Sequence, residues 1–371
     1  MSARDLPVPF NDMSRIHSPL VTQFTDALVQ IVDNSTFVLG HEVQEFENEL
    51  AILEGCRYAI GLNSGTSAIE LALRAFDIGP GDEVITTSLT FVATCFAILQ
   101  TGATPVLIDI DPTTGLLQSS QIEKVITKKT KAVVFVTLHG RVGDIDRVRD
   151  ICTANNLRFI IDGAQSHLGR MNNTNQSNFA DATTLSFYPG KNLGALGEAG
   201  AVLTNKIEIR DKIRMMRDWG ASSKYIHETW GGNYRIEALQ AAFLRIKLKK
   251  LIDWTNDRIR ISTIYRENIE QELLLNEHSE NFSHVYHIFS IQTNRRSEFC
   301  KSLDRSGVSY GFHYPFPIHR QKAYLEFVRT PLTLSGAELF ASNNLSIPLF
   351  PGQTESEIAR VIGAVNKANQ N

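Results

Sequence analysis

Three side chains near the middle of the chain have types and spacing that could do chemistry. Asp162 closes a short apolar, β-branched run, Phe159–Ile161. Ser186 lies near the end of a second run, Thr183–Phe187, and Lys191 follows in a loop between Gly190 and Asn192. A buried strand that ends on a charge delivers it to the carboxyl edge of a sheet, where α/β proteins bind ligands. A lysine in a stretch otherwise short of charge is not placed like a solubilising one. Acid, hydroxyl and amine together suit an aldehyde cofactor with a ring nitrogen and a phosphate, pyridoxal phosphate. The amine would bond the aldehyde and the acid would keep the ring nitrogen protonated. The lysine would then move a proton between two carbons, a task for a neutral amine, which burial beside a cationic ring favours.

Other residues fit the same chemistry. Gly65 and Thr66 sit between a strand and the start of a helix, where exposed amides and the helix dipole make an anion site. Phe91, after a strand, could stack on a flat ring. Each also has a plainer reading: Asp162 as a helix cap, Lys191 as a loop lysine, Thr66 as an N-cap, Ser186 as a backbone-bonded strand serine, Phe91 as core. The acid and the amine, each after a strand of one α/β domain, make the chemical reading the stronger. His139, His167 and His319 read as structural histidines, and no CxxC or HxxxH pattern points to a metal.

Regular elements must position these groups. Leu20–Val32 and Val43–Leu53 have helical periodicity. Strands are predicted at Tyr58–Leu62, Val84–Thr87, Thr104–Ile108, Ala132–Leu138, Phe159–Ile161, Thr183–Phe187 and Ala199–Thr204, with helices at Ala68–Phe76, Phe91–Thr101, Ser119–Ile126 and Ile145–Asn155 between them. That alternation calls for a seven-stranded, mostly parallel sheet covered by helices on both faces. Past Asn205 the texture changes. A helix over Ile207–Trp219 is followed by a long helical stretch from Ile236, broken near Asp253, to about Leu273. After Asn276–Glu277 a second α/β pattern has strands at Val285–Gln292 and Val308–Phe312 and helices at Ser297–Arg305 and Glu355–Ala368. The expected organisation is an arm over residues 1–20, extended by Pro7 and Pro9, a large α/β domain over 21–250 and a smaller C-terminal α/β domain over 251–371.

Composition excludes several classes. With 43% hydrophobic and 21% charged residues the chain reads as globular, and disorder is not expected. A net charge of -3 gives no drive toward nucleic acid or anionic lipid. No signal peptide is visible and no apolar run approaches spanning length, so no membrane role is expected. Four scattered cysteines read as reduced thiols of a cytoplasmic protein.

Several blocks then carry a resemblance. FVLGHEVQEFENELA, GLNSGTSAIELALRAFDIGPGDEVI, DGAQSH, SFYPGKNLGALGE, GGNYRIEALQAAFLRIKL and HYPFPIH, in this order, resemble the DegT/DnrJ/EryC1/StrS sugar aminotransferases, which have the fold type I architecture of pyridoxal 5'-phosphate enzymes. The resemblance implies that Lys191 binds the cofactor covalently, Asp162 pairs with its ring nitrogen, Gln165 lies near its phenolic oxygen and Phe91 stacks on the ring. Gly65, Thr66 and Ser186 would hold the phosphate. Asn233 would reach the phosphate of a neighbouring subunit's cofactor, implying a homodimer with a shared site. Arg235, Tyr314 and His319 would bind the sugar nucleotide. The implied activity passes an amino group from glutamate to a nucleotide-linked keto-deoxysugar, with PFND leaning toward a dTDP-3-keto-6-deoxyhexose. GEAG at Gly197–Gly200 and the Ser166 and Leu168 of DGAQSHLG depart from the commoner family pattern and bear on substrate. Another fold type I activity, including a keto cyclitol aminotransferase, and a non-catalytic regulatory protein are the competing readings.

Overall fold

The computed structural model describes residues 6–276 and 281–370. The first five residues of the expected arm, Glu277 of the expected turn and the final Asn371 lie outside the described residues. The central sheet has seven strands: β1 (Tyr58–Leu62), β2 (Glu83–Thr87), β3 (Thr104–Ile108), β4 (Thr130–Val136), β5 (Arg158–Asp162), β6 (Ala182–Ser186) and β7 (Gly200–Thr204). Their order is β1–β7–β6–β5–β4–β2–β3. From β3 to β6 all neighbours are parallel, and β7 runs antiparallel to both β6 and β1. β1 is therefore parallel to β6, and β1, β2, β5 and β6 all end at one edge.

The strands are near-continuous apolar runs because both faces are covered. Alternate residues part to opposite sides. Val84, Val134 and Ile160 pack with Ile69, Leu73 and Ile213 of the helices Gly65–Ala75 and Ile207–Arg217. Ile85, Val133 and Ile161 pack with Ile145, Val148 and Phe340 on the other face.

A second core gathers the helices Leu251–Asn268, Arg296–Arg305 and Glu355–Gln370 around the antiparallel pair Phe289–Gln292 and Asn344–Ile347. The long helical stretch breaks at Lys249–Lys250, earlier than the sequence suggests. The strand expected from Val285 starts only at Phe289, because Tyr286 adopts a positive φ of 46°. Val308–Phe312 forms no strand of its own. It meets its neighbours at isolated bridges, Val308 with Val8 and Gly311 with Ser346. Val8 is fully buried in this second core. The N-terminal arm is thus pinned where it was expected only to be extended. Among the described residues no helix is long and apolar enough to cross a membrane.

Candidate active site

A cavity of about 620 Å³ opens at the carboxyl edge of the sheet. Gly65 and Thr66 after β1, Phe91 after β2, Asp162 at the end of β5 and Ser186 at the end of β6 converge there with Gln165, Lys191 and Tyr314. Parallel strands alone explain why residues more than a hundred positions apart meet at one edge.

One end of the cavity is built for an anion. Ser64 caps the helix Gly65–Ala75, its Oγ accepting the Ser67 N–H at 3.0 Å. The Gly65 and Thr66 N–H groups of the first turn have no intrahelical acceptor and carry the positive end of the helix dipole. Ser186 stands beside them. A Cβ on Gly65 would lie 2.6 Å from the Ser186 Cβ, and one on Gly200 of β7 would lie 2.3 Å from the Ser64 backbone. Both glycines let the first helical turn sit directly on β6 and β7. Gly65→Ala is accordingly expected to weaken capture of pyridoxal phosphate by about ten- to a hundredfold, about 1.4–2.8 kcal/mol, read by absorbance titration of the cofactor-free protein.

The other end carries the acid and the amine. Asp162 is buried: Oδ2 accepts the Thr94 hydroxyl at 2.7 Å and Oδ1 the Ala164 N–H at 3.1 Å. Burial pushes its carboxyl up, opposed by these hydrogen bonds and by the charge of Lys191. Lys191 is pulled from 10.5 down to about 8 by burial, against the attraction of Asp162. Three histidines lie near enough to feel its charge, and burial first, then Lys191, keeps each neutral: His167 falls to about 3, His313 to about 4 and His287 well below its ordinary value. An amine at about 8 is about one-tenth neutral at pH 7, against about 3 × 10⁻⁴ for an ordinary lysine. The bimolecular rate of pyridoxal phosphate capture should therefore climb about tenfold per pH unit from pH 6 and level off near pH 8. Stopped-flow absorbance tests this, and a rate still rising steeply at pH 9.5 contradicts it.

Between the two ends lie flat walls. Gln165 accepts the His139 N–H at 2.6 Å through Oε1 and donates through Nε2 to the Tyr314 hydroxyl at 3.0 Å. The Phe91 ring, 56% exposed, tilts against Tyr314 with centroids 5.9 Å apart.

Three of the residues expected to bind cofactor or substrate are not among those lining this cavity. Asn233 is exposed, its carbonyl accepting the Asn63 Nδ2 at 3.1 Å. Arg235 is ion-paired with Asp218. His319 faces Glu338 at 3.1 Å and lines a separate pocket of about 290 Å³. Conversely, the sequence reading missed Thr94, Phe10, Asn11, His287 and His313, all of which line the cavity. Thr94 had a signal, one helical turn past Phe91. His313 and Phe10 lie inside blocks noticed for other reasons, and they meet ring on ring at 5.6 Å and 20°. His287 had none, since it arrives through a tertiary contact of Nδ1 with the Asn192 Oδ1 at 3.2 Å.

The residues present fit a phosphate-bearing aldehyde with a basic ring nitrogen: a glycine cradle for the anion, a buried acid for the cation and an amine that is partly neutral.

Known proteins carry the same frame. A dTDP-3-amino-3,4,6-trideoxy-alpha-D-glucose transaminase from Streptomyces venezuelae is 36% identical over 97% of this chain and 96% of its own length. A UDP-N-acetyl-3-dehydro-alpha-D-glucosamine 3-aminotransferase from Acidithiobacillus ferrooxidans is 36% identical over 97% of both. The crystal structure of S. venezuelae DesV with a ketimine intermediate superposes with a TM-score of 0.95 at 36% identity, covering 99% of each chain. The family model matches residues 20–366, so the chain belongs to the DegT/DnrJ/EryC1/StrS aminotransferase family.

Proposed function

We propose that this chain is a pyridoxal 5'-phosphate-dependent aminotransferase that passes an amino group from glutamate to a nucleotide-linked keto-deoxysugar, of the dTDP-3-keto-6-deoxyhexose kind, in amino-sugar biosynthesis. The observation that carries this reading is the common cavity of Lys191 and Asp162, closed at its far end by the Gly65–Thr66 helix start. When bound, the cofactor supplies an electron sink that makes the C–H beside the transferred nitrogen acidic. Gly65, Thr66 and Ser186 would hold its phosphate, and Asp162 would keep its ring nitrogen charged. Phe91 would cover one face of the ring, and Gln165 would lie near its phenolic oxygen. Lys191 would give up its place to the incoming amine. Its Nζ would then take the proton from the substrate carbon bearing nitrogen and deliver it to the cofactor carbon on the other side of that nitrogen, as general base and then general acid. Water would release the nitrogen-free product as a keto acid, the ketone sugar would lose its oxygen as water on taking up the nitrogen, and the same lysine would move the proton in the opposite direction before the amino sugar departs.

The reading includes a homodimer. Asn233 and Arg235, outside their own cavity, would serve the partner's phosphate and sugar nucleotide. Val29, Val32, Phe37 and Val38 leave an exposed apolar surface on the helix Val21–Asn34 and the turn after it, which a second copy would cover. His319 and Tyr314 complete the sugar-binding set.

The test is a panel of nucleotide keto sugars and a keto cyclitol, each incubated with glutamate and the holoenzyme and followed by mass spectrometry. Amination of a nucleotide keto sugar is expected. Amination of the cyclitol alone would move the substrate assignment to that class.

A further inference from the structure

Lys247 is completely buried, and among the described residues no carboxylate pairs with it. Its ammonium donates to the Gly194 carbonyl and to the His17 Nε2 at 2.9 Å, with the Trp254 ring 6.0 Å away. Burial holds His17 near 4, so its ring is a neutral acceptor. A lone ammonium taken out of water costs several kcal/mol, and a methionine would fill the same space without that cost. The position of the charge suggests what it does.

The loop that carries Lys191 closes on itself. Ala195 N–H donates to the Phe187 carbonyl at 2.7 Å, and Lys191 N–H donates to the Tyr188 carbonyl at 2.8 Å. At its neck, Gly194 presses so closely on Pro189 that a Cβ would lie 2.2 Å from the Pro189 carbonyl oxygen. Helix Ala238–Leu248 runs behind this neck. Gln240 on that helix grips Leu196, its Oε1 taking the N–H at 2.9 Å and its Nε2 donating to the carbonyl at 3.3 Å. Two turns on, Lys247 reaches Gly194. The segment following Lys191 is thus held at two points by one rigid helix.

We propose that Lys247 is a positioning residue for Lys191, its ammonium clamping the neck of the 187–195 loop so that the reactive amine is held at working height over the cavity. This rests on the proposed role of Lys191. A misplacement of the order of 1 Å in a reacting group costs up to about a hundredfold in rate.

Lys247→Met and Lys247→Gln holoenzymes are compared with wild type. In Lys247→Met both half-reactions should slow about tenfold or more, with the KM of the amino donor and of the nucleotide sugar changed less than about twofold. Lys247→Gln, which keeps a donor, should recover most of the rate. Independently of turnover, the pH dependence of Lys191 acylation in the cofactor-free proteins, read by mass spectrometry, should shift in Lys247→Met and stay near wild type in Lys247→Gln. Wild-type rates and labelling in both folded variants overturn the proposal, as does a loss that only follows the folded fraction. Should Lys247→Met not fold, Lys247→Gln decides: wild-type rates and labelling beside a slowed Lys247→Arg, which keeps the charge but is longer and planar, support the clamp, and equal rates in both oppose it. Full amination by Lys191→Ala would instead remove the role on which the proposal rests.

Discussion

Lys191→Ala protein is expected to form amino sugar at least about 10³-fold more slowly than wild type, the scale of removing a nucleophile that is also the general acid–base. The anion cradle of Gly65, Thr66 and Ser186 is untouched by the change, as are Asp162 and its bonds to Thr94 and Ala164. The variant should therefore still bind pyridoxal phosphate, but reversibly: dialysis strips it, and borohydride fixes no cofactor to the chain. Nothing else in the cavity can replace the amine. The histidines that feel its charge cannot form an imine and are held well below ordinary basicity by burial, and His313 shares its Nδ1 with the Ser346 hydroxyl at 2.9 Å. Turnover within tenfold of wild type would falsify the assignment of this lysine.

The second large effect is expected from Asp162→Asn. The amide matches the carboxylate in shape and can still accept the Ala164 N–H, so the cavity should keep its form and the cofactor its place. What disappears is a buried negative charge. Burial drives this carboxyl toward its neutral form, against the hydrogen bonds of Thr94 and Ala164 and the charge of Lys191, and a cation facing it favours the ionised form further. The ring nitrogen of the cofactor is the cation it would keep. Without the carboxylate that nitrogen loses its proton, and the ring withdraws electrons less strongly when the C–H bond breaks. A fall of about 10²–10³ in the rate of each half-reaction follows, about 3–4 kcal/mol of barrier, at unchanged cofactor content. A rate within about threefold of wild type would mean that the ring nitrogen needs no acid at this position.

The sheet was legible because its physics is local. Apolar β-branched runs bounded by turns such as Gly79–Asp82 and Asp111–Pro112 mark each strand, and two covered faces make those runs continuous. Asp162 stood out for the same reason, as a charge at the end of such a run. The site was less legible wherever its walls come from afar. Asn192 looks like any loop asparagine until its amide is seen bonded to the Val285 carbonyl at 3.0 Å, which brings His287 beneath the lysine loop. Tyr314 reaches Gln165 across 149 positions of sequence. Val308–Phe312 failed as a strand because its pairing partners, Val8 and Ser346, each offer it a single bridge. His319 was legible as part of its block, but its pairing with Glu338 and its place in a separate pocket come from tertiary structure.

Phe10 and Asn11 line the cavity, and Arg15, just after them, is bound through two hydrogen bonds to Glu357 of the last helix. Part of the wall therefore comes from the first dozen residues, and it is held in place from the opposite end of the chain. A change there can reshape the mouth of the cavity without touching the sheet edge that carries the chemistry. Trading this short leader between relatives would retune selectivity while leaving the lysine, the acid and the cradle as they are.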